Sequence, residues 1–108
     1  CLGHQAIGLT RGMGLVESPL GPVHGVPSTI VADGNGLLSE GEHIMTRYNS
    51  LVLHGEGDIS VTANDETGTL PMEIRDGNTY GLQFHPESIG SIGGMEVLSE
   101  FLRRVAHC

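Results

Sequence analysis

The chain has 108 residues, with 13 Asp and Glu against 5 Arg and no Lys, a formal net charge of -8. So acidic a balance argues against nucleic acid or an anionic membrane as partner, and the length allows one small domain. No run is apolar and long enough to span a membrane as a helix, and no stretch reads as a signal peptide.

In chain order, Gln5 to Leu9 reads as a short helix of small and apolar residues that Gly12 and Gly14 bring to an end. Leu15 to Thr29 is rich in Gly and Pro, which predicts an irregular edge hairpin. Within it, Val26 to Val31 can pair as a strand, and Ala32-Asp33-Gly34-Asn35-Gly36 is a turn signal. Leu37 to Glu42 reads as a loop or a single turn. Strand signals follow at His43 to Arg47 and Ser50 to His54, separated by Tyr48-Asn49, and again at Ile59 to Ala63. Asn64 to Gly68 turns the chain, and Leu70 to Arg75 forms a strand with Pro71 near its start. Asp76-Gly77-Asn78 is a hairpin turn. Thr79 to Phe84 is the most apolar late strand. Gly93 to Val105 is the clearest helix, with Met95, Leu98, Phe101, Leu102 and Val105 predicted as one apolar stripe. The pattern is helix, five or six short strands, helix: a mixed α and β domain.

Two stretches carry chemistry. Cys1-Leu2-Gly3-His4-Gln5 places a thiol before small residues and helix formers, as at a sharp strand-to-helix turn. A thiol at a helix N-terminus is favoured as thiolate, which lowers its pKa from about 8.5. The Leu2 N–H would face the same point and could bind an oxyanion. The second stretch, Phe84-His85-Pro86-Glu87-Ser88, ends an apolar strand in a His with an acid two residues on. Such a pair supplies a general acid and base together with the carboxylate that orients it. Alone, each stretch also fits a blander reading: a chain end at Cys1, and a loop His beside a solvated Glu. Cys1 and Cys108 lie at opposite ends, and His4, His24, His43, His54, His85 and His107 show no ligand spacing. Neither a disulfide framework, a metal nor another cofactor is expected, and a reducing cytoplasm is the default location.

Together the two stretches resemble the class I, or triad, glutamine amidotransferases. Arg47-Tyr48-Asn49-Ser50-Leu51 is similar to the RYHSL stretch of the anthranilate synthase component II and aminodeoxychorismate synthase branch. His24-Gly25 and Asp33-Gly34-Asn35-Gly36-Leu37 resemble that branch's HG and DG-x-GLF. The resemblance implies an α/β, flavodoxin-like, three-layer fold with a central, mainly parallel sheet. It also implies that Cys1 attacks the side-chain amide of L-glutamine, with His85 as acid and base and Glu87 orienting it. Gln5 would contact the glutamine, the backbone of Ser50 and Leu51 would hold its amino-acid end, and Leu2 would supply half of the oxyanion hole. The released ammonia would pass to a chorismate-using synthase, either a separate partner or a fused domain.

Two departures accompany the resemblance. Asn49 stands where the family has His before Ser50, a change that backbone binding would tolerate. The family's N-terminal part, with its first parallel strands and the Gly-rich loop carrying the other oxyanion donor, has no counterpart in this chain. Residues 1–108 are therefore expected to be the C-terminal portion of a glutaminase domain, cut at the nucleophile and inactive alone. Two other readings stand beside it. Cys1 could use its own α-amine, of pKa about 7.7–8.0, as the base, which would leave His85 and Glu87 without a role. Alternatively, the chain could bind glutamine or a synthase without turnover.

Overall fold

The computed structural model describes residues 1–105; His107 and Cys108 lie outside the described residues. Helix α1 spans Leu2–Thr10 and begins three residues earlier than periodicity alone suggests, with the Gln5 N–H donating to the Cys1 carbonyl at 3.0 Å. Eight strands follow among the described residues: β1 (Gly14–Glu17), β2 (Val23–Ala32), β3 (Gly41–Asn49), β4 (Leu51–His54), β5 (Ser60–Asp65), β6 (Pro71–Asp76), β7 (Thr79–Leu82) and β8 (Phe84–His85). Helix α2 spans Gly94–Val105.

Six strands form one sheet in the order β7-β6-β5-β2-β3-β8, and β1 pairs separately with β4. The mixed α and β class agrees with expectation, but the mainly parallel sheet is not seen among the described residues, where every ladder is antiparallel. Short connections account for the β2–β3, β5–β6 and β6–β7 pairs, because parallel neighbours need a crossover of about a dozen residues or more. The β6–β7 hairpin is joined by Gly77-Asn78 alone, and Gly77 takes φ +60°, a left-handed value that glycine adopts without strain.

The predicted hairpin over Leu15 to Thr29 does not form. Its first part, β1, pairs with β4, and its second, β2, pairs with β3. Pro19 and Pro22 sit in the connection between them. Pro27 lies inside β2, opposite Thr46, where only one edge is paired; β5 joins the other edge at Ile30 to Ala32. A residue without an N–H is tolerated on such an open edge.

Two interruptions position the site. At Ser50 the chain leaves the large sheet and enters the small one. At Gln83 the predicted strand Thr79 to Phe84 splits, so that β7 borders β6 while β8 borders β3 at the far edge. One residue joins the two outer strands, so the sheet must curl round on itself.

Ile30, Met45, Val52, Met72, Phe84 and Val97 belong to the main core, while Met13, Leu53 and Ile74 form a second cluster with Ile7 of α1 packed against it. The predicted stripe on α2 is rotated. Val97 is the buried apolar side chain of that helix and Phe101 packs beside it, whereas Met95 and Leu102 are exposed. Apolar residues lie on both flanks of this helix, so periodicity marked it amphipathic without choosing the flank that meets the sheet. No helix among the described residues is long and apolar enough to cross a membrane.

Candidate functional site

Cys1 is the N-cap of α1, exposed, and no side chain caps the helix. The N–H groups of Leu2, Gly3 and His4 precede the first intrahelical bond, so they lack an intrahelical acceptor and present the positive end of the helix dipole beside the thiol. The Cys1 backbone nitrogen donates to the Leu82 carbonyl at the end of β7.

His85 closes β8, where it pairs with Thr46 of β3. Two residues on, the Glu87 carboxylate meets the ring: Nδ1 and Oε2 are 3.0 Å apart. Burial works to raise the Glu87 carboxyl. Its own backbone N–H and the His85 ring outweigh that and hold it below the usual carboxylate range. With Nδ1 engaged, Nε2 is the ring atom free to exchange a proton. No hydrogen bond joins the Cys1 thiol to His85.

A cleft of about 200 Å³ is lined by Cys1, Leu2, Gln5, Tyr48, Asn49, Ser50 and Leu51. Five of the residues chosen from the sequence therefore share one cavity, while His85 and Glu87 stand beside it. The contact between the two groups is Tyr48, which lines the cleft and meets the His85 ring edge to face, centroids 5.1 Å apart and planes at 84°. A larger cavity of about 590 Å³, between residues 34–39 and α2, contains none of the chosen residues.

Gln5 spans the base of the cleft, with Nε2 donating to the Leu51 carbonyl at 3.2 Å and to Gln83 Oε1 at 3.3 Å. Asn49 Nδ2 donates to the same Leu51 carbonyl at 3.2 Å, and Arg47 Nε donates to Asn49 Oδ1 at 3.3 Å. Sequence reasoning treated Asn49 only as a tolerated departure. Its burial shows it as a brace for the Ser50 turn. Gln83 was missed: it is fully buried, its Nε2 has no partner, and it anchors Gln5. Nothing in hydrophobic periodicity marks a polar residue that interrupts a strand in this way.

The sequence profile of the class-I glutamine amidotransferases matches residues 1–105. Anthranilate synthase component 2 of Methanothermobacter marburgensis is 42% identical, covering 95% of this chain and 55% of the relative. That of Cyanophora paradoxa is 36% identical, covering 94% and 57%. The aminodeoxychorismate synthase of Streptomyces pristinaespiralis is 39% identical over 99% of this chain but only 16% of its own. The chain thus spans about half the length of the component 2 relatives. Among solved structures, a candidate GMP synthase subunit from Thermoplasma acidophilum superposes with a TM-score of 0.85 at 18% identity, over 99% of this chain and 55% of the other. A glutamine amidotransferase from Thermotoga maritima gives 0.72 at 15% identity, over 99% and 45%. These two likenesses concern the fold alone. The profile match over nearly the whole chain decides the family: the chain belongs to the class-I glutamine amidotransferases.

Proposed function

We propose that this chain is the nucleophile-bearing portion of a glutaminase that supplies ammonia to a chorismate-aminating synthase. The observation that carries the reading is the His85–Glu87 pair held beside a cleft lined by Cys1, the N-cap residue of α1. The Cys1 thiol gives its proton to His85, and the sulfur attacks the side-chain amide carbon of glutamine. The tetrahedral oxyanion is stabilised by the Leu2 N–H at the helix N-terminus. His85 delivers its proton to the departing nitrogen, the C–N bond breaks, and ammonia leaves a γ-glutamyl thioester on Cys1. Water activated by His85 then hydrolyses the thioester to glutamate and frees the thiol. Glu87 holds the ring in one tautomer and stabilises its protonated form. Gln5, braced on Leu51 and Gln83, contacts the glutamine side chain, and the Ser50–Leu51 backbone meets its amino-acid end. The chorismate-using partner is supported by the names of the relatives, anthranilate synthase component 2 and aminodeoxychorismate synthase.

A second reading, binding without turnover, draws on two features of the chain itself. The thiol makes no bond to His85, and the Leu51 carbonyl already accepts from Gln5 and Asn49. We assign this behaviour to residues 1–108 when alone, and turnover to the longer protein with its partner.

The test uses that longer protein assembled with its synthase. Cys1→Ser is expected to abolish glutamine-driven amination and spare amination driven by added ammonia, because the partner's site does not use the thiol. Loss of both in a folded variant would remove Cys1 from glutamine hydrolysis.

A further inference from the structure

We propose that Tyr48 is a positioning residue that sets the orientation of the His85 imidazole, and that a glycine bulge in β2 exists to seat it. The consequence for catalysis rests on the glutaminase reading; the positioning itself does not.

Strands β2 and β3 run in register from Ala32 back to Val26, which pairs with Arg47, and the register then slips so that His24 pairs with Tyr48. Gly25 is the extra residue. It takes φ +68°, as the first residue of a glycine bulge does. The Tyr48 ring lies directly on it. A Cβ at Gly25 would stand 2.9 Å from Tyr48 Cε1 and 3.1 Å from both Cζ and the hydroxyl oxygen. The position thus needs glycine for both conformation and room. Bulges of this kind re-aim a neighbouring side chain, and here that side chain is an aromatic ring seated against the imidazole.

His85 needs such a support. Its ring bonds to Glu87, whose side chain is 62% exposed, and a contact to so solvated a carboxylate leaves the ring free to swing. The edge-to-face contact with Tyr48 restricts that swing from the side on which the Cys1 cleft lies. Tyr48 does not exchange a proton in this scheme. It acts through His85, by limiting the tilt of the imidazole beside the cleft.

The experiment compares the His85 ring resonances of the longer protein by NMR in the wild type, Tyr48→Phe, Tyr48→Ala and Gly25→Ala. Tyr48→Phe keeps the aromatic edge and is expected to keep the His85 ring-proton shifts. Tyr48→Ala removes the ring current and the restraint, so those shifts move toward free-imidazole positions and the Nδ1–H exchanges faster with water. Gly25→Ala, which removes neither side chain, pushes the tyrosine ring and shifts the same resonances. It carries the test if Tyr48→Ala does not fold. In the longer, glutamine-hydrolysing protein, Tyr48→Ala is expected to lower kcat about tenfold through misplacement of the base, and Tyr48→Phe to restore it. His85 resonances unmoved in Gly25→Ala and in folded Tyr48→Ala would overturn the proposal, as would Tyr48→Phe behaving like Tyr48→Ala. A wild-type protein without glutaminase activity would overturn the glutaminase reading alone, because the NMR comparison stands without turnover.

Discussion

Glu73 lies fully buried on β6, with Oε2 accepting the Leu37 N–H at 2.7 Å and Oε1 without a partner. Burial raises its pKa, while the Leu37 and Leu38 N–H groups, the Thr62 hydroxyl and the Arg104 charge partly offset the rise. A carboxyl raised in the folded state contributes stability below its unfolded value, and that contribution is lost as pH rises through the folded value. Glu73→Gln keeps the acceptor for Leu37 and is expected to flatten the loss, which thermal melts taken upward in pH from the ordinary carboxyl range would read. His4 acts in the opposite sense. It is buried on α1 with both ring nitrogens unpartnered, and burial lowers its pKa to about 4, opposed by the nearby Gly81 backbone. Its contribution is present above the ordinary value near 6.5 and is lost as pH falls toward about 4. His4→Asn should remove that acid-side slope, and a variant that retained it would show another group to be responsible. At the site itself, His85→Ala is expected to lower glutamine hydrolysis by the longer protein about a hundred- to ten-thousandfold. A loss of less than about tenfold, against that range, would exclude His85 as the base.

At the scale of elements, α2 and the loop ahead of β3 give the sharpest contrasts. Val97→Ala removes buried apolar volume and is expected to cost about 2 kcal/mol. Leu102→Ser, on the exposed flank, should stay within about 0.5 kcal/mol of wild type. Denaturant midpoints showing the reverse order would restore the stripe read from periodicity. Gly36 tests the loop: a Cβ there would stand 2.2 Å from Glu73 Oε1 and 2.6 Å from the Thr62 hydroxyl. Gly36→Ala is therefore expected to destabilise by about 1–3 kcal/mol, as overpacking does, and that effect should shrink when combined with Glu73→Ala, which vacates the space. These same elements mark what the sequence could convey. The β6–β7 hairpin was legible because Gly77-Asn78 demands a tight turn locally. The pairing of β1 with β4 was not, because nothing in residues 14–17 specifies a partner more than thirty residues away. The split at Gln83 was hidden for a similar reason: a buried polar residue there is justified only by Gln5, which the fold brings to it.

For the molecule as a whole, the local parts of the candidate site were more legible than the strand pairing. Chemistry requires particular residue types at short spacing, so Cys1 with its helix and His85 with Glu87 could be read directly. Their neighbourhood is a long-range property, set by β8 joining β3 and by the chain changing sheets at Ser50. The seat of Tyr48 on Gly25 belongs to the same class, because it depends on a register slip between two strands. The central claim is that Cys1 carries the glutamyl group. Rapid-quench mass spectrometry of the longer protein turning over glutamine tests it most directly. A γ-glutamyl adduct is expected on the peptide that contains Cys1, discharged by hydroxylamine and absent from Cys1→Ser. Steady turnover with no adduct on that peptide, or an adduct on another residue, would contradict it.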